Sequence, residues 1–255
     1  MSSHISIERD GGVTTLRMDR PDKKNAITFA MYTALADALG EVDRDDSVRA
    51  VLLCGAGGNF TAGNDLGDFA NRPPNFAEAP SGRFLRALAT FGKPLVAAVD
   101  GNAIGIGVTM LLHCDLIYAS DRAKLRMPFV DLGLVPEAGS SLLLPRLIGH
   151  QRASELLLLG EALSATTAHE IGLVNAVLPA LELEAHAQKI CQRLAAKAPG
   201  ALRHTKALLR DAKHATVMER IEHEGAIFGD QLRTPEAREA ISAFFEKRAP
   251  NFSKA

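Results

Sequence analysis

The sequence predicts an α/β fold, and three observations carry that expectation. Runs such as Ala50–Cys54 and Leu95–Val99 are apolar throughout, as strands are when both faces of a parallel sheet are covered. Between such runs lie segments with helical spacing of their apolar residues, the crossovers that parallel pairing requires. Beyond Leu178 every patterned segment is helical, so a helical domain is expected to close the chain.

Taken in order, Ile5–Arg9 and Val13–Met18 flank Asp10-Gly11-Gly12, whose glycines supply the positive φ values of a tight hairpin. Thr28 is placed to cap a helix running to about Arg44, with Tyr32, Leu35, Leu39 and Val42 along one apolar stripe. A buried strand at Ala50–Cys54 leads into 55–81, rich in Gly, Asn, Pro and Asp. A loop of that length in a compact domain is usually functional or mobile, which marks a candidate site. Leu95–Val99 is a second buried strand, followed through Asp100-Gly101 by an apolar helix expected from about Ile104 to His113, then a strand at Leu116–Ala119. The last strand is expected at Val174–Leu178. Helical spacing then recurs in Leu181–Lys197, Ala201–Ala212, Thr216–Gln231 and Pro235–Arg248. Pro199 cannot continue a preceding helix, so the boundary falls there, with residues 1–198 as the core and 199–255 as the helical domain. A (β/α)8 barrel fits the length but would need strands spread to the C-terminus.

Composition narrows the function. The 255 residues are 47% hydrophobic and 23% charged, the profile of a globular chain with a sizeable core. Lys and Arg total 29 against 30 Asp and Glu, a formal net charge of −1, so neither nucleic acid nor an anionic membrane is an expected partner. No apolar run reaches the roughly 18 residues of a membrane span. Met1–Asp10 reads as neither a secretory signal nor a transit peptide, and Cys54, Cys114 and Cys191, widely spaced in apolar contexts, read as buried reduced thiols. Together these point to the cytoplasm. His204, His214 and His223 lie on polar helices and read as solvated, so no metal is expected. Phosphate-loop, Gly-x-Ser-x-Gly, His-Glu-x-x-His and Cys-x-x-Cys signatures are missing from the sequence.

Two segments stand out instead. Phe60-Thr61-Ala62-Gly63-Asn64-Asp65-Leu66 follows a strand, and Gly101-Asn102-Ala103-Ile104-Gly105-Ile106-Gly107 joins a strand to a helix. Both place small residues where backbone must approach something closely. Amides at Asn64 and near Ile106, the latter at a helix N-terminus, are candidates to converge on a developing oxyanion. Each segment alone reads equally well as an ordinary glycine turn.

Together they resemble the crotonase superfamily of enoyl-CoA hydratases and isomerases. Arg20-Pro21-Asp22-Lys23-Lys24-Asn25-Ala26 is similar to its N-terminal signature, and the segments from Phe60 and Gly101 to its two glycine motifs. Ser164–Val174 and Ala243-Phe244-Phe245-Glu246-Lys247-Arg248 resemble its downstream and closing segments. The resemblance implies a spiral of ββα turns with a C-terminal helical domain, a homotrimer or dimer of trimers, and an acyl-CoA thioester as substrate, with no cofactor beyond the CoA moiety. It implies that the amides of Asn64 and Ile106 form the oxyanion hole, although the family commonly has glycine where this chain has Ile106. It implies coenzyme contacts from Lys23, Lys24, Ala26, Ala62, Gly63, Asp65 and Leu66, completed by Phe228, Phe244 and Lys247 of the C-terminal helices.

Hydratases of this family use two glutamates, and the matching positions here are Thr109 and Phe129. The acid left nearby is Glu137, in Leu134-Val135-Pro136-Glu137-Ala138-Gly139. That stretch, with Thr109 and Pro128-Phe129, resembles monofunctional 3,2-enoyl-CoA isomerases of the peroxisomal type, whose single glutamate moves a double bond from position 3 to trans-2. Phe69, Thr109, Phe129 and Leu134, with Leu66 and Ile106, are expected to line the acyl pocket. An apolar pocket raises a carboxylate's pKa toward the operating pH and strengthens it as a base. Glu137 reads alternatively as a charge partner for the dipole of a helix at Ser140–Ile148.

Rival readings are a hydratase in which Glu137 does both jobs or Asp131 helps, and another enolate chemistry such as decarboxylation or dehalogenation. Further rivals are a hydrolase using Ser140 or Ser141 with His150, a catalytically silent acyl-CoA binder, and an RNA binder, against which the absence of a basic aromatic stripe speaks.

Overall fold

The computed structural model describes residues 4–70, 79–211, 217–231 and 233–252. β1 (Ile5–Asp10) and β2 (Val13–Met18) form the expected antiparallel hairpin, turned by Gly11 and Gly12 at φ +53° and +82°. α1 (Phe29–Arg44) begins at Thr28, whose side chain accepts from the Met31 amide and satisfies one of the first-turn donors. After β3 (Ala50–Gly55) come α2 (Leu66–Ala70) and α3 (Pro80–Thr90), so the long candidate loop is partly helical. α3 packs along α1 through Phe84, Leu88 and their neighbours.

β4 (Leu95–Val99) stands as expected, and the helix expected from about Ile104 to His113 forms with a later start. Asn102–Ile104 is a strand, β5, and α4 (Ile106–Thr109) opens two residues later, running on as a 3-10 turn to His113. Gly105 separates them at φ +56° and ψ −114°, a conformation belonging to neither element. There follow β6 (Leu116–Ser120), β7 (Lys124–Arg126), α5 (Ser140–Ile148), α6 (His150–Leu158), β8 (Ala162–Ser164), α7 (Ala165–Glu170) and β9 (Ala176–Leu178). α8 (Ala180–Ala195), α9 (Pro199–Arg210), α10 (Val217–Gln231) and α11 (Pro235–Phe245) close the described chain.

The larger sheet has the order β1-β2-β3-β4-β6-β9, parallel except for the β1–β2 pair. Its central strands are apolar throughout because each face meets a different layer. Val51, Leu53, Leu95, Ala97 and Val99 enter the main core, while Leu52, Cys54, Val96 and Ala98 turn to Leu183, Ala187 and Cys191 of α8. α8, which precedes the expected boundary at Pro199, is therefore a layer of the sheet core. Cys54 and Cys191 are shut between sheet and helix, and burial pushes both thiols, and that of Cys114, up to about 12.

α9 is fastened to this core by two cations. Lys206, only 7% exposed, donates to Asp115 Oδ2 at 2.7 Å and the Lys93 carbonyl at 2.5 Å. Arg210 reaches the carbonyls of Phe91 at 3.2 Å and His113 at 2.5 Å. Among the described residues no helix is long and apolar enough to cross a membrane.

The second sheet, β5-β7-β8, is extended by isolated parallel bridges between Thr61 and Ala103 and between Ile27 and Asn64. These short pairings bring residues from five separate parts of the sequence side by side, and the candidate site sits on them.

Candidate active site

Asn64 is set by its bridge. The flanking amides and carbonyls make the ladder bonds, Ile27 N–H to the Gly63 carbonyl at 2.8 Å and Asp65 N–H to the Ile27 carbonyl at 2.9 Å. In a ladder the residue between such bonds points its own amide the other way. The Asn64 amide accordingly donates to no acceptor among the described residues. Gly63 permits the approach: at φ +90° a Cβ there would lie 2.8 Å from the Ile104 carbonyl oxygen. The second donor, the Ile106 amide, opens α4 and has no intrahelical acceptor. Gly107 keeps α4 against the Thr61 segment, where a Cβ would stand 2.7 Å from Thr61 Cγ2.

Asn64 and Ile106 line one cavity of about 450 Å³, together with Glu137. Leu66, Phe129 and Leu134, expected in the acyl pocket, lie on its wall, as do Ala62 and Gly63, and Phe29, Tyr32, Leu132 and Val135 add apolar surface. Burial raises the Glu137 carboxyl to about 7, against the opposing effect of a hydrogen bond from the Thr109 hydroxyl to Oε1. Thr109 itself is fully buried and is no part of the wall, correcting its expected place in the pocket: it stands behind the carboxylate and acts through it.

The backbone around Glu137 is unusual. Ala138 takes φ +56° and Gly139 φ +67°. A side-chain-bearing residue in that left-handed region costs about 1–2 kcal/mol, so neighbouring contacts must hold it. The Glu137 carbonyl accepts from the Ser140 amide at 3.0 Å and the Ser140 hydroxyl at 2.7 Å, and the Ala138 carbonyl faces His113 Nε2 at 2.8 Å.

Tyr32 was legible only as part of a core stripe. Its hydroxyl donates to Asn64 Oδ1 at 2.6 Å, and burial, with the Glu137 charge, holds its pKa well above the phenol range. The signal was a polar-tipped ring in an otherwise aliphatic stripe, in a chain with 2 tyrosines.

The expected coenzyme residues divide. Lys24 accepts the Ala62 amide on its carbonyl at 2.8 Å, so the turn of exposed Lys23 and Lys24 and half-buried Ala26 borders the Ala62–Gly63 wall. The amides of Ala62 and Asp65 are thus taken by protein carbonyls. The Asp65 carboxylate is held by Arg20 at 2.6 Å, which keeps its pKa below the usual range. Phe228 lies exposed on α10 and Lys247 is exposed at φ +54°, neither on the cavity wall. The side chains of Phe69 and Phe244, and His214 entirely, fall outside the described residues.

Two rival constellations do not assemble. Ser140 is buried with its hydroxyl spent on the Glu137 carbonyl, and His150 faces Ser154 at 3.4 Å rather than Ser140 or Ser141, so the expected pair does not form. Asp131 is turned to Arg126 at 3.0 Å and is not on the cavity wall.

Known proteins agree with this geometry. Residues 8–255 match the enoyl-CoA hydratase/isomerase family. The chain is 38% identical to the 1,2-epoxyphenylacetyl-CoA isomerase of Escherichia coli K12, over 98% of this chain and 97% of that one. It is 36% identical to enoyl-CoA delta isomerase 2 of Rattus norvegicus, over 97% of its length and 64% of the relative's. Relatives named as hydratases match nearly as well. A solved structure from Magnetospirillum magneticum AMB-1, described as an enoyl-CoA hydratase/carnithine racemase, superposes with a TM-score of 0.96 at 46% identity, covering 99% of this chain and 100% of that one. With the two sheets, the glycine approaches and the match running almost end to end, the chain belongs to the crotonase superfamily, the enoyl-CoA hydratases and isomerases that act on acyl-CoA thioesters.

Proposed function

We propose that the protein is an enoyl-CoA isomerase that moves a 3-enoyl double bond to trans-2. The observation that carries this reading is that Glu137 is the one carboxylate on the cavity wall among the described residues; by the family resemblance, Thr109 and Phe129 stand where the hydratases carry their two glutamates. Hydration asks for separate acid and base groups, whereas a 1,3-proton shift needs one group that takes a proton and returns it. With its pKa raised to about 7, Glu137 is suited to both halves near neutral pH.

In the proposed sequence the Glu137 carboxylate removes a proton from C2 of the 3-enoyl thioester. The electron pair passes to the thioester oxygen, where the amides of Asn64 and Ile106 stabilise the enolate. Electrons then return through the conjugated chain as Glu137 delivers the proton to C4, leaving the trans-2-enoyl product. Loss of one oxyanion donor of this kind typically costs about 2.7–4 kcal/mol of transition-state stabilisation. The Ile106 side chain, buried beside its own amide, narrows the acyl end of the cavity.

The coenzyme is placed along the Lys23–Lys24 turn, with the backbone carbonyls near Ala62 and Asp65 as acceptors for the adenine amine. Phe228, Phe244 and Lys247 would join it through a neighbouring subunit. α5 and α6 leave Leu142, Leu147, Leu158 and Leu159 about half exposed or more, apolar surface of the kind that copies cover in a homotrimer or a dimer of trimers.

A paired assay tests the reaction. Conjugated thioester should appear rapidly from 3-hexenoyl-CoA, crotonyl-CoA should be hydrated slowly, and Glu137→Gln should fold while losing nearly all isomerase turnover. Fast hydration of crotonyl-CoA, or near-native isomerisation by Glu137→Gln, would overturn the assignment.

A further inference from the structure

The helical stretch that presents the Ile106 amide also grips the Glu137 turn twice. Thr109 holds the carboxyl, and four residues on, the His113 ring meets the next carbonyl along, that of Ala138, at 2.8 Å. His113 is the partner of that carbonyl among the described residues. The turn it meets is the strained one, with a side-chain-bearing residue at φ +56° directly after the base.

His113 is itself fixed from two directions. Its backbone carbonyl accepts from Arg210 of α9 at 2.5 Å, and its half-buried ring lies where burial and the nearby Arg210 and Lys206 charges hold its pKa below the ordinary value. A neutral imidazole carries one N–H, and a ring nitrogen facing a carbonyl oxygen must be the one that bears it. The Nε2–H tautomer is assigned by that partner.

We propose that His113 is the positioning residue of the catalytic base: by donating from Nε2 to the Ala138 carbonyl, it holds the left-handed turn in the conformation that keeps the Glu137 carboxyl in the cavity and against Thr109. This inference rests on the reading of Glu137 as the base. It assigns His113 no contact with substrate, so its loss acts on turnover through the placement of Glu137.

Three substitutions test it, assayed with 3-hexenoyl-CoA. His113→Leu removes the donor. His113→Asn keeps a polar group too short to reach Ala138, and His113→Gln can place an amide N–H where Nε2 now lies. Displacing a reacting group by about 1 Å costs on the order of 100-fold, so Leu and Asn are expected to lower kcat by about 10- to 100-fold. KM should stay within about threefold, and Gln should keep kcat within about fivefold of native. If the Leu variant does not fold, the contrast between Asn and Gln carries the test. The proposal is overturned if kcat is unchanged in Leu and Asn, if Gln is as impaired as Asn, or if the loss lies in KM alone. Glu137→Gln, measured in parallel, separates the two readings: its full activity removes the base assignment, whereas an inactive Glu137→Gln beside a fully active His113→Leu removes only the role of His113.

Discussion

A carboxyl placed in an apolar wall must affect stability as well as chemistry. Glu137 ionises near 7 in the folded chain and near 4.5 in the unfolded one. Between those values the native state binds the extra proton, so raising the pH through this window lowers stability, and above about 7 the full cost of the charge is carried. Glu137→Gln has no charge to bury. Chemical denaturation should find it more stable than the native protein at pH 8, by roughly 3 kcal/mol, with the gap closing by pH 4.5. A gap independent of pH would mean that the carboxyl is solvated in the folded protein. At this scale the sequence supplied the residue types, and the family resemblance supplied their roles. The contacts of Tyr32 with Asn64 and of His113 with Ala138 join positions 32 and 25 residues apart, and no local pattern encodes them.

Elements were legible in proportion to their length and periodicity. The hairpin, α1, β3 and β4 follow from alternation, capping and buried apolar runs, whereas the three-residue strands β5, β7 and β8 are too short to show a period. The end of β5, Ile104, was taken into the apolar helix that follows it, because Ile104 and Ile106–Leu112 share the same apolar character. What separates them is one glycine, and glycines of two kinds shape this region. Around Gly105, φ +56°, there is open space for a Cβ, so Gly105→Ala pays only for its backbone angle, about 1–2 kcal/mol. Gly63→Ala adds a collision with the Ile104 carbonyl at 2.8 Å, which must push the Asn64 segment away from β5. Urea denaturation should rank Gly63→Ala as the more destabilised variant, with the greater loss of kcat. Equal effects would show that the close approach is not needed.

Across the whole molecule, α9 meets the site region through charge rather than through an apolar face. Removing one member of a buried ion pair leaves the other uncompensated, and Lys206 is the more enclosed partner of Asp115. Lys206→Met should lower unfolding stability by about 3 kcal/mol in urea titration, and adding Asp115→Asn should recover part of the loss. No recovery would place the contribution in the packing of the lysine stem. The parallel pairing and the helical end were legible at this scale, but neither the strand order nor the partner of α8 was: helical spacing shows that a stripe exists, and only the sheet shows what covers it.

That covering layer has a further use. With Cys54 and Cys191 enclosed between the sheet and α8, and their thiols protonated up to about pH 12, a thiol reagent cannot attack these two while the layer stays closed, whereas the partly buried Cys114 lies outside it and is counted separately. The rate at which such a reagent labels them therefore measures how often α8 lifts from the sheet, so the native chain carries its own clock for that opening, with no introduced label.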